Sequence, residues 1–309
     1  MKIAVVGIGG VGGYFGGNLA RHYTGKGEVE IVFVARGKHL EEITKNGLEL
    51  ITQKGSFKAM PDRATDNPAD QGAFDLVLFC VKAYDLEESA RLLRYNVDEK
   101  SVVITLLNGV DNRGRLKDIF PRAEVLDGGV YISGRIICPG VVQQLGGACK
   151  LFFGAEDGAT EKYLHTERLL RDAGIDAEFR TDIQTVVWDK YLFISPVASA
   201  TAYLGKNFGE ILEDGTSRGI LESLVKEVER VGRAMGVPVP EDAPKVVLDK
   251  VASFPYETQS SMQVDFEKGG RTELETFTGF IVRSAGRRGI AVPHHDEIYR
   301  ILLERMEKG

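Results

Sequence analysis

The sequence KIAVVGIGGVG at residues 2–12 carries the clearest structural signal in the chain. Residues 3–6 form a short apolar run, mostly β-branched, which is typical of a strand buried on both faces of a parallel sheet. Glycines follow at positions 7, 9 and 12, and the pattern of residues 14–23 predicts a helix. Residues 30–35, EIVFVA, predict another strand. The N-terminal segment is therefore predicted to form a strand, a glycine-rich turn, a helix and a second strand.

A Gly-x-Gly-x-x-Gly spacing between a strand and a helix is typical of dinucleotide-binding domains. Gly7 permits the tight turn, Gly9 lets backbone N–H groups approach a pyrophosphate, and Gly12 lets the helix pack closely on the sheet. An ordinary glycine-rich turn is the alternative, and the strand–turn–helix–strand context argues against it. We therefore predict a dinucleotide-binding segment that consists of Gly7, Ile8, Gly9, Gly10, Val11 and Gly12.

The residues after the second strand predict which dinucleotide is bound. A carboxylate at this point would hold the ribose 2′-hydroxyl of NAD, but the chain has Arg36, Gly37 and Lys38. The guanidinium of Arg36 can pair with the 2′-phosphate of NADP and stack on adenine, with assistance from Lys38. The alternative is that both cations are solvated in a loop. We predict that the cofactor is NADP, used as NADPH.

Two more apolar runs predict further strands of the same sheet. Residues 75–81 are followed by Lys82, and residues 102–107 are followed by Asn108. Both side chains are expected at the carboxyl edge, where doubly wound sheets bind ligands. The remaining predicted strands lie at residues 123–126, 141–144 and 150–153, with a turn at 138–140, a helix at 160–173 and a short strand or linker at 175–180.

Strand signals fade after residue 181. A long helix is predicted to begin at Thr181 or Asp182 and to be kinked at Pro196. Further helices are predicted at residues 217–235, 241–252, 271–288 and 294–307. The predicted fold class is therefore α/β, with an N-terminal Rossmann domain that binds NADP at residues 1–181. A C-terminal all-helical domain for substrate binding and catalysis is predicted at residues 182–309.

Composition excludes several classes of protein. The 309-residue chain has a formal net charge of −6, which offers no support for nucleic-acid binding, and no apolar stretch is long enough to span a membrane. Its three cysteines, Cys80, Cys138 and Cys149, have no CxxC spacing, so neither a disulfide framework nor a zinc site is expected. We expect a cytoplasmic protein without a metal ion. The apolar helices of its second domain are compatible with a homodimer.

A dinucleotide domain followed by a helical domain predicts hydride transfer in the cleft between them. This reaction needs a proton donor for a carbonyl oxygen. Lys190 is the candidate because it lies among apolar residues in VVWDKYLFI, and a surface lysine whose stem covers apolar neighbours is the alternative. Residues 260–275 form a second candidate segment. There, the residues alone do not decide whether Glu273 is catalytic or a solvated helix residue.

Several segments in a specific order resemble the ketopantoate reductase (2-dehydropantoate 2-reductase) family, across essentially the whole chain. They are MKIAVVGIGGVGGYFGGNLA from residue 1, VARGKHLEEI from 34, VKAYDLEES from 81, LLNGV from 106, PGVV from 139, WDKYLF from 188 and SSMQVDFEKGGRTELETFTGFIVRSAGRRGIAVP from 260. The resemblance implies NADPH-dependent reduction of 2-dehydropantoate to pantoate, a step of pantothenate and coenzyme A biosynthesis. It implies that Lys190 is the general acid and that Glu273 hydrogen-bonds the substrate hydroxyl.

The same resemblance implies the binding residues. Ser261 would hold the substrate carboxylate, and Asn108 would lie near the nicotinamide and the substrate. Arg36 and Lys82 would bind the NADP end of the site. A further substrate-binding asparagine of the family falls at Phe208 or, with a shift of one residue, at Asn207.

The chain departs from the family pattern on the helix that carries Lys190. Family members commonly have substrate-binding asparagines four and eight residues after the lysine, whereas this chain has Ile194 and Ala198. Without those hydrogen-bond donors, the discrimination for ketopantoate falls, and a different, more apolar 2-keto acid becomes an alternative substrate. A non-catalytic NADP-binding or sensing protein is a further alternative. The presence of Lys190 and Glu273 argues against it, because a sensor needs neither residue.

Overall fold

The ends of three neighbouring strands, at Val6, Phe79 and Thr105, are paired in one parallel sheet. The computed structural model describes residues 1–156, 158 and 160–308. It divides the chain into two units, Met1–Ile183 and Gln184–Gly309.

The strands of the described residues all lie in the first unit. They are β1 (Lys2–Val6), β2 (Glu30–Val34), β3 (Leu48–Thr52), β4 (Gly55–Ala59), β5 (Arg63–Thr65), β6 (Leu76–Phe79), β7 (Val102–Thr105), β8 (Glu124–Cys138), β9 (Val141–Gly154) and β10 (Asp176–Arg180). One half of the sheet is parallel and has the order β5-β2-β1-β6-β7-β8. This is the strand order of dinucleotide-binding sheets, in which the chain places successive strands outward on one side of β1 and then, starting with β6, outward on the other side. The predicted Rossmann fold is confirmed.

The other half of the sheet is mixed and more extensive than the sequence predicts. The expected short strands at 123–126, 141–144 and 150–153 belong to two long strands, β8 and β9, which pair antiparallel around the predicted turn. Strand β9 also pairs in parallel with β3 and β10, and β3 pairs antiparallel with β4. Strands β3 to β5 were missed because their residues are partly exposed and lack a continuous apolar run.

Helices cover the sheet and bury its two faces. They are α1 (Gly10–Tyr23), α2 (Gly37–Asn46), α3 (Leu86–Leu92), α4 (Asn112–Ile119) and α5 (Glu161–Asp172), with short 3-10 helices at Pro68–Gln71 and Ala83–Asp85. Successive residues of β1 point to opposite faces, so Ile3 and Val5 join one apolar cluster while Ala4 and Val6 join the other. Both faces of this strand are therefore buried, as its uninterrupted apolar sequence predicts.

The described residues of the second unit form helices and the segments that connect them. Its elements are α6 (Ile183–Leu204), whose first residue is counted with the first unit, α7 (Phe208–Glu213), α8 (Gly215–Ala234), α9 (Ala243–Ala252), α10 (Ser261–Glu267), a π-helical turn (Glu275–Gly279), α11 (Phe280–Gly286) and α12 (Pro293–Lys308). The all-helical prediction is confirmed, although α7 was missed. Helix α6 continues through Pro196, which is buried. Packing of its apolar residues maintains the helix at the point where proline removes one N–H donor.

Candidate functional site

The glycine-rich turn joins the end of β1 to the start of α1, and close contacts explain two of its glycines. Gly7 has a φ of +89°, and a Cβ there would lie 2.7 Å from Cγ1 of Val81. A Cβ on Gly12 would lie 1.9 Å from the carbonyl oxygen of Gly7. Larger residues at these two positions would separate α1 from the turn and the sheet.

Gly9 has open space on its Cβ side, unlike Gly7 and Gly12. A Cβ built there would meet no atom within 4 Å, and Gly9 is the N-cap of the 14-residue helix α1. The first N–H groups of a helix bind anions through hydrogen bonds and the helix dipole. The open approach to the start of α1 therefore fits the pyrophosphate of a dinucleotide.

His39 supports this turn, although nothing in the sequence singled it out. Its Nδ1 lies 2.9 Å from the backbone nitrogen of Gly140 and therefore accepts that N–H, so Nε2 carries the proton and donates to the carbonyl of Ile8 at 2.7 Å. Burial lowers the pKa of His39. The neutral imidazole thus links the glycine-rich turn to the turn between β8 and β9.

Arg36 follows β2, at the position predicted to select the cofactor. Its Nη2 lies 2.6 Å from Oδ2 of Asp85, in the short 3-10 helix after β6. The Arg36 side chain is 73% exposed, whereas that of Asp85 is 8% exposed. The guanidinium is therefore held on one side and accessible to a ligand on the other. Asp85 was not predicted, because the two residues are 49 positions apart in the sequence.

Lys82 and Asn108 occupy equivalent positions after neighbouring strands. The last residues of β6 and β7, Phe79 and Thr105, are paired, and each candidate lies three residues further along the chain. Both side chains are partly buried. The Lys82 carbonyl accepts the N–H of Asp85 at 2.9 Å, and the Asn108 carbonyl accepts the Asn112 side-chain amide at 2.9 Å. The structure thus places both residues on the same edge of the sheet as the glycine-rich turn, where ligands bind in such folds.

Lys190 and Glu273 are electrostatically coupled within the second unit. Lys190 lies on α6 and is partly buried, and Glu273 is 4% exposed and comes just before the helical segment that starts at Leu274. Burial lowers the pKa of Lys190 to about 8, the carboxylate of Glu273 opposes this shift, and the cation of Lys250 adds to it. An ammonium group with this pKa can hold a proton at neutral pH and release it readily.

The predicted substrate-binding residues of the second unit have different surroundings. Ser261 is the exposed first residue of α10, whose N-cap is the preceding serine. Asn207 is the N-cap of α7 and forms a capping box with Glu210, and its Nδ2 lies 3.0 Å from Glu257 Oε2. These contacts give Asn207 a structural role that its sequence position did not predict.

Ile194 and Ala198 follow Lys190 by one and two turns of α6. Ile194 is partly exposed and Ala198 is 4% exposed. Residues at spacings of four lie on one face of a helix, so this face of α6 continues from an ammonium group to two apolar side chains.

The described residues contain no group of three His, Cys, Asp or Glu side chains arranged to hold a metal ion. None of the helices assigned to them is both long and apolar enough to cross a membrane.

The Rossmann sheet and the glycine-rich turn define a dinucleotide-binding protein that consists of an α/β unit and a helical unit. Two family models match the chain: "Ketopantoate reductase PanE/ApbA" over residues 3–158 and "Ketopantoate reductase PanE/ApbA C terminal" over residues 182–306. The chain therefore belongs to the ketopantoate reductase family.

Individual relatives match the chain over nearly its full length. The chain is 30% identical to the uncharacterized oxidoreductase YkpB of Bacillus subtilis over 97% of each chain. It is 30% identical to a 2-dehydropantoate 2-reductase of Halobacterium salinarum over 95% of each. The crystal structure of 2-dehydropantoate 2-reductase from Porphyromonas gingivalis is 36% identical, with a TM-score of 0.84 and coverage of 98% of this chain and 99% of that one.

Proposed function

We propose that the protein catalyses the NADPH-dependent reduction of 2-dehydropantoate to pantoate, a step of pantothenate biosynthesis. The observation that carries this proposal is that Lys190 is partly buried on α6 and interacts electrostatically with the buried carboxylate of Glu273. Burial lowers the pKa of Lys190 to about 8, which suits a proton donor. The family match supports the same reaction type. In this proposal, residues 1–181 bind the cofactor, and residues 182–309 bind the substrate and carry the general acid.

Lys190 acts as the general acid in this reaction. NADPH, when bound, supplies the hydride that reduces the keto carbon. The ammonium group of Lys190 donates a proton to the oxygen that becomes the hydroxyl of the product. Glu273 keeps Lys190 charged and accepts a hydrogen bond from a substrate hydroxyl, while Ser261 donates to the substrate carboxylate. Asn108 and Asn207 are the proposed amide contacts to the substrate.

Arg36 is proposed to select NADP by pairing with the 2′-phosphate. The exposed side of its guanidinium and the neighbouring exposed Lys38 support this assignment. The glycine-rich turn and the start of α1 bind the pyrophosphate, and Lys82 and Asn108 contact the cofactor at the edge of the sheet.

A substrate panel with NADPH tests the proposal. The purified protein is given 2-dehydropantoate, pyruvate, a branched aliphatic 2-keto acid and an aryl 2-keto acid, and the loss of NADPH absorbance is followed. The highest kcat/KM is expected for 2-dehydropantoate, with Lys190→Ala as the inactive control. A protein that binds NADPH but reduces none of these acids would instead be a non-catalytic NADP-binding protein.

A second candidate is an NADPH-dependent reductase of a more apolar 2-keto acid. The observation that favours it is the face of α6 after Lys190, where Ile194 and Ala198 offer no side-chain hydrogen bond. A pocket without such donors discriminates poorly in favour of a substrate hydroxyl. A kcat/KM higher for the branched or aryl acid than for 2-dehydropantoate would establish this alternative. Ile194→Asn should then move the preference toward 2-dehydropantoate.

We further propose that the protein forms a homodimer. The second unit exposes apolar side chains on α9 and shortly after it, at Val246 and Phe254. The ketopantoate reductase of Staphylococcus aureus, which is described as dimeric, has the same fold with 22% identity and a TM-score of 0.82. Light scattering at several protein concentrations measures the mass directly, and a monomer at all of them would contradict the proposal.

A further inference from the structure

A second series of residues on α6 directs its hydroxyl groups at the π-helical turn Glu275–Gly279. Tyr191, Ser195 and Ser199 are spaced by four residues and are at most 1% exposed. They form a buried polar row on the helix face next to the one that carries Lys190, because each follows a residue of that face by one position. We call these three residues the hydroxyl row.

Each member of the hydroxyl row contacts the π-helical turn. The hydroxyl of Tyr191 donates to the carbonyls of Thr276 and Phe277, at 2.8 and 2.9 Å. Ser195 donates to the same Phe277 carbonyl at 2.9 Å. The hydroxyl of Ser199 lies 2.8 Å from that of Thr278.

These contacts match what a π-helical turn requires. The wider i→i+5 pattern interrupts the regular α-helical ladder, and buried carbonyl groups need hydrogen-bond donors. Thr276 and Phe277 are 6% and 1% exposed, so water is a poor substitute for the hydroxyl row. The row therefore stabilises a helical geometry that the backbone alone would not favour. π-Helical turns occur frequently at functional sites.

The same turn holds the backbone of Glu273. The N–H groups of Thr276 and Phe277 lie 3.0 and 3.1 Å from the Glu273 carbonyl. The two residues that receive hydrogen bonds from α6 through their carbonyls thus donate to Glu273 through their N–H groups. These hydrogen bonds connect α6, the helix that carries Lys190, to the backbone of Glu273.

We propose that Tyr191 and Ser195 are positioning residues that hold the π-helical turn and thereby keep the Glu273 carboxylate near the ammonium group of Lys190. The catalytic consequence rests on the proposed function, whereas the placement of the carboxylate does not. Neither residue contacts substrate in this proposal. Both act through the peptide groups of Thr276 and Phe277.

The charges around Lys190 provide a direct readout of this placement. Burial and Lys250 on α9 lower its pKa, and Glu273 raises it, while Asp189 acts on Lys250 in turn. If the carboxylate moves away from Lys190, the groups that lower the pKa remain. The pKa of Lys190 must then fall further below its ordinary value.

Competitive acetylation measures this pKa without any turnover. The protein is labelled with a trace of acetic anhydride at a series of pH values, and the extent of acetylation at Lys190 is read by peptide mass spectrometry. In Tyr191→Phe and Ser195→Ala, the midpoint is expected to move to lower pH by about half a pH unit or more, in the direction of Glu273→Gln. Adding Tyr191→Phe to Glu273→Gln should produce no further shift, because the carboxylate is already gone.

Two control variants remove buried hydroxyl groups that have no link to Glu273. Tyr23→Phe deletes a hydroxyl that donates to the Leu169 carbonyl at 2.9 Å, and Ser217→Ala deletes one that donates to Asp214 at 2.6 Å. Both should lower thermal stability without moving the Lys190 midpoint. Thermal unfolding of all variants establishes which of them fold. If Tyr191→Phe does not fold, Ser195→Ala alone tests the positioning role.

Kinetic measurements test the catalytic consequence, whereas the labelling tests the placement of Glu273. With the best 2-keto acid, Tyr191→Phe and Ser195→Ala should lower kcat/KM by roughly 10–100-fold, because small displacements of catalytic groups are costly. An unchanged Lys190 midpoint in both folded variants would overturn the positioning role. If the unmodified protein reduces no 2-keto acid, the proposed function fails, and the labelling still decides whether the hydroxyl row places Glu273.

Discussion

The buried carboxylate of Asp85 lies 2.6 Å from the guanidinium of Arg36, whose side chain is exposed. The pair lies at the position where dinucleotide-binding sheets distinguish NAD from NADP. An arginine there attracts a 2′-phosphate, and a neighbouring carboxylate weakens that attraction. The balance of these two charges leads to separate predictions for each residue.

Replacing Arg36 by glutamine should weaken NADPH binding much more than NADH binding. The variant loses the cation proposed to contact the 2′-phosphate, and a charge-assisted hydrogen bond contributes roughly 1.5–3 kcal/mol, or about 10–150-fold in Kd. Fluorescence titration with each reduced cofactor measures the difference. Lys45→Gln, at an exposed position in the last turn of α2, is the control for loss of one positive charge. Equal losses for NADPH and NADH in Arg36→Gln would show that Arg36 does not select the cofactor.

Replacing Asp85 by asparagine should have the opposite effect. The amide keeps the shape of the side chain but removes the negative charge beside Arg36, so the guanidinium attracts a phosphate more strongly. We expect NADPH to bind several-fold more tightly at low ionic strength, with little change for NADH and a smaller gain at high salt. A gain that is the same for both cofactors would place the effect outside the 2′-phosphate contact.

Strands β1, β6 and β7 of the parallel half could be predicted because they are continuous apolar runs followed at once by Gly7, Lys82 or Asn108, whereas the partly exposed edge strand β5 could not. Parallel pairing brings the ends of those strands together, so the sequence positions alone predicted a common edge. The β8–β9 hairpin could not be predicted in the same way. Its far half is mostly exposed and rich in glycine and polar residues, and its register shifts by bulges near Tyr131 and Ile136.

The site was predicted less completely than the sheet because its supporting contacts join distant residues. The Arg36–Asp85 pair and the Tyr191–Phe277 hydrogen bond depend on tertiary structure, and neither has a local pattern. The π-helical turn has the same kinds of residues as an α-helix, so periodicity predicted only a helix at 271–288.

The pH dependence of reduction should follow the protonation of Lys190. Only the ammonium form donates a proton, so kcat/KM should be constant below the pKa of about 8 and fall by about tenfold per pH unit above it. Oxidation of the corresponding 2-hydroxy acid needs the neutral amine and should rise through the same pH range. Profiles measured in both directions between pH 6 and about 10 test the sign as well as the position. An alkaline limit that is unchanged in Lys190→Ala would assign it to another group.

Removing the proposed acid should affect catalysis far more than cofactor binding. Lys190→Ala should lower kcat by about 10²–10⁴-fold and leave the Kd of NADPH nearly unchanged, because the proposed cofactor-binding residues belong to the other unit. Lys190→Arg should not restore activity, since a guanidinium does not release its proton at these pH values.

Glu273→Gln should lower kcat and also raise KM, because its proposed role includes binding the substrate. The losses should not add in the Lys190→Ala, Glu273→Gln double variant, since both residues serve one proton transfer. Additive losses in the double variant would separate their functions.

The buried carboxylate of Glu227 should control the stability of the helical unit in acid. Glu227 on α8 accepts N–H groups of His294 and His295 at the start of α12, and its Oε2 lies 2.7 Å from Nδ1 of His295. Burial alone would raise the pKa of Glu227, but these hydrogen bonds outweigh it and lower the pKa to about 2. Burial lowers the pKa of His295.

Both shifts predict that the helical unit loses stability in acid. The unfolded chain binds a proton at His295 below its ordinary pKa of 6.5 and at Glu227 below 4.5, while the folded chain resists both. The free energy of unfolding should therefore begin to fall below about pH 6.5 and fall more steeply from 4.5 toward 2. Trp188, the single tryptophan, is buried in this unit, so its fluorescence during urea unfolding reports the transition.

Replacing Glu227 by glutamine should lower stability at neutral pH and flatten its acid dependence. The amide retains one acceptor but loses charge-assisted hydrogen bonds, so we expect a loss of roughly 1–3 kcal/mol at pH 7. Because the titrating carboxylate is absent, the steep decline between pH 4.5 and 2 should become shallower. Glu229→Gln is the matched control on the same helix, since its pair with the half-exposed Arg233, four residues along the helix, contributes about 0.5 kcal/mol or less. The free energy of unfolding of Glu227→Gln could instead fall between pH 4.5 and 2 as steeply as that of the unmodified chain and of Glu229→Gln. That result would assign the acid sensitivity to other carboxylates.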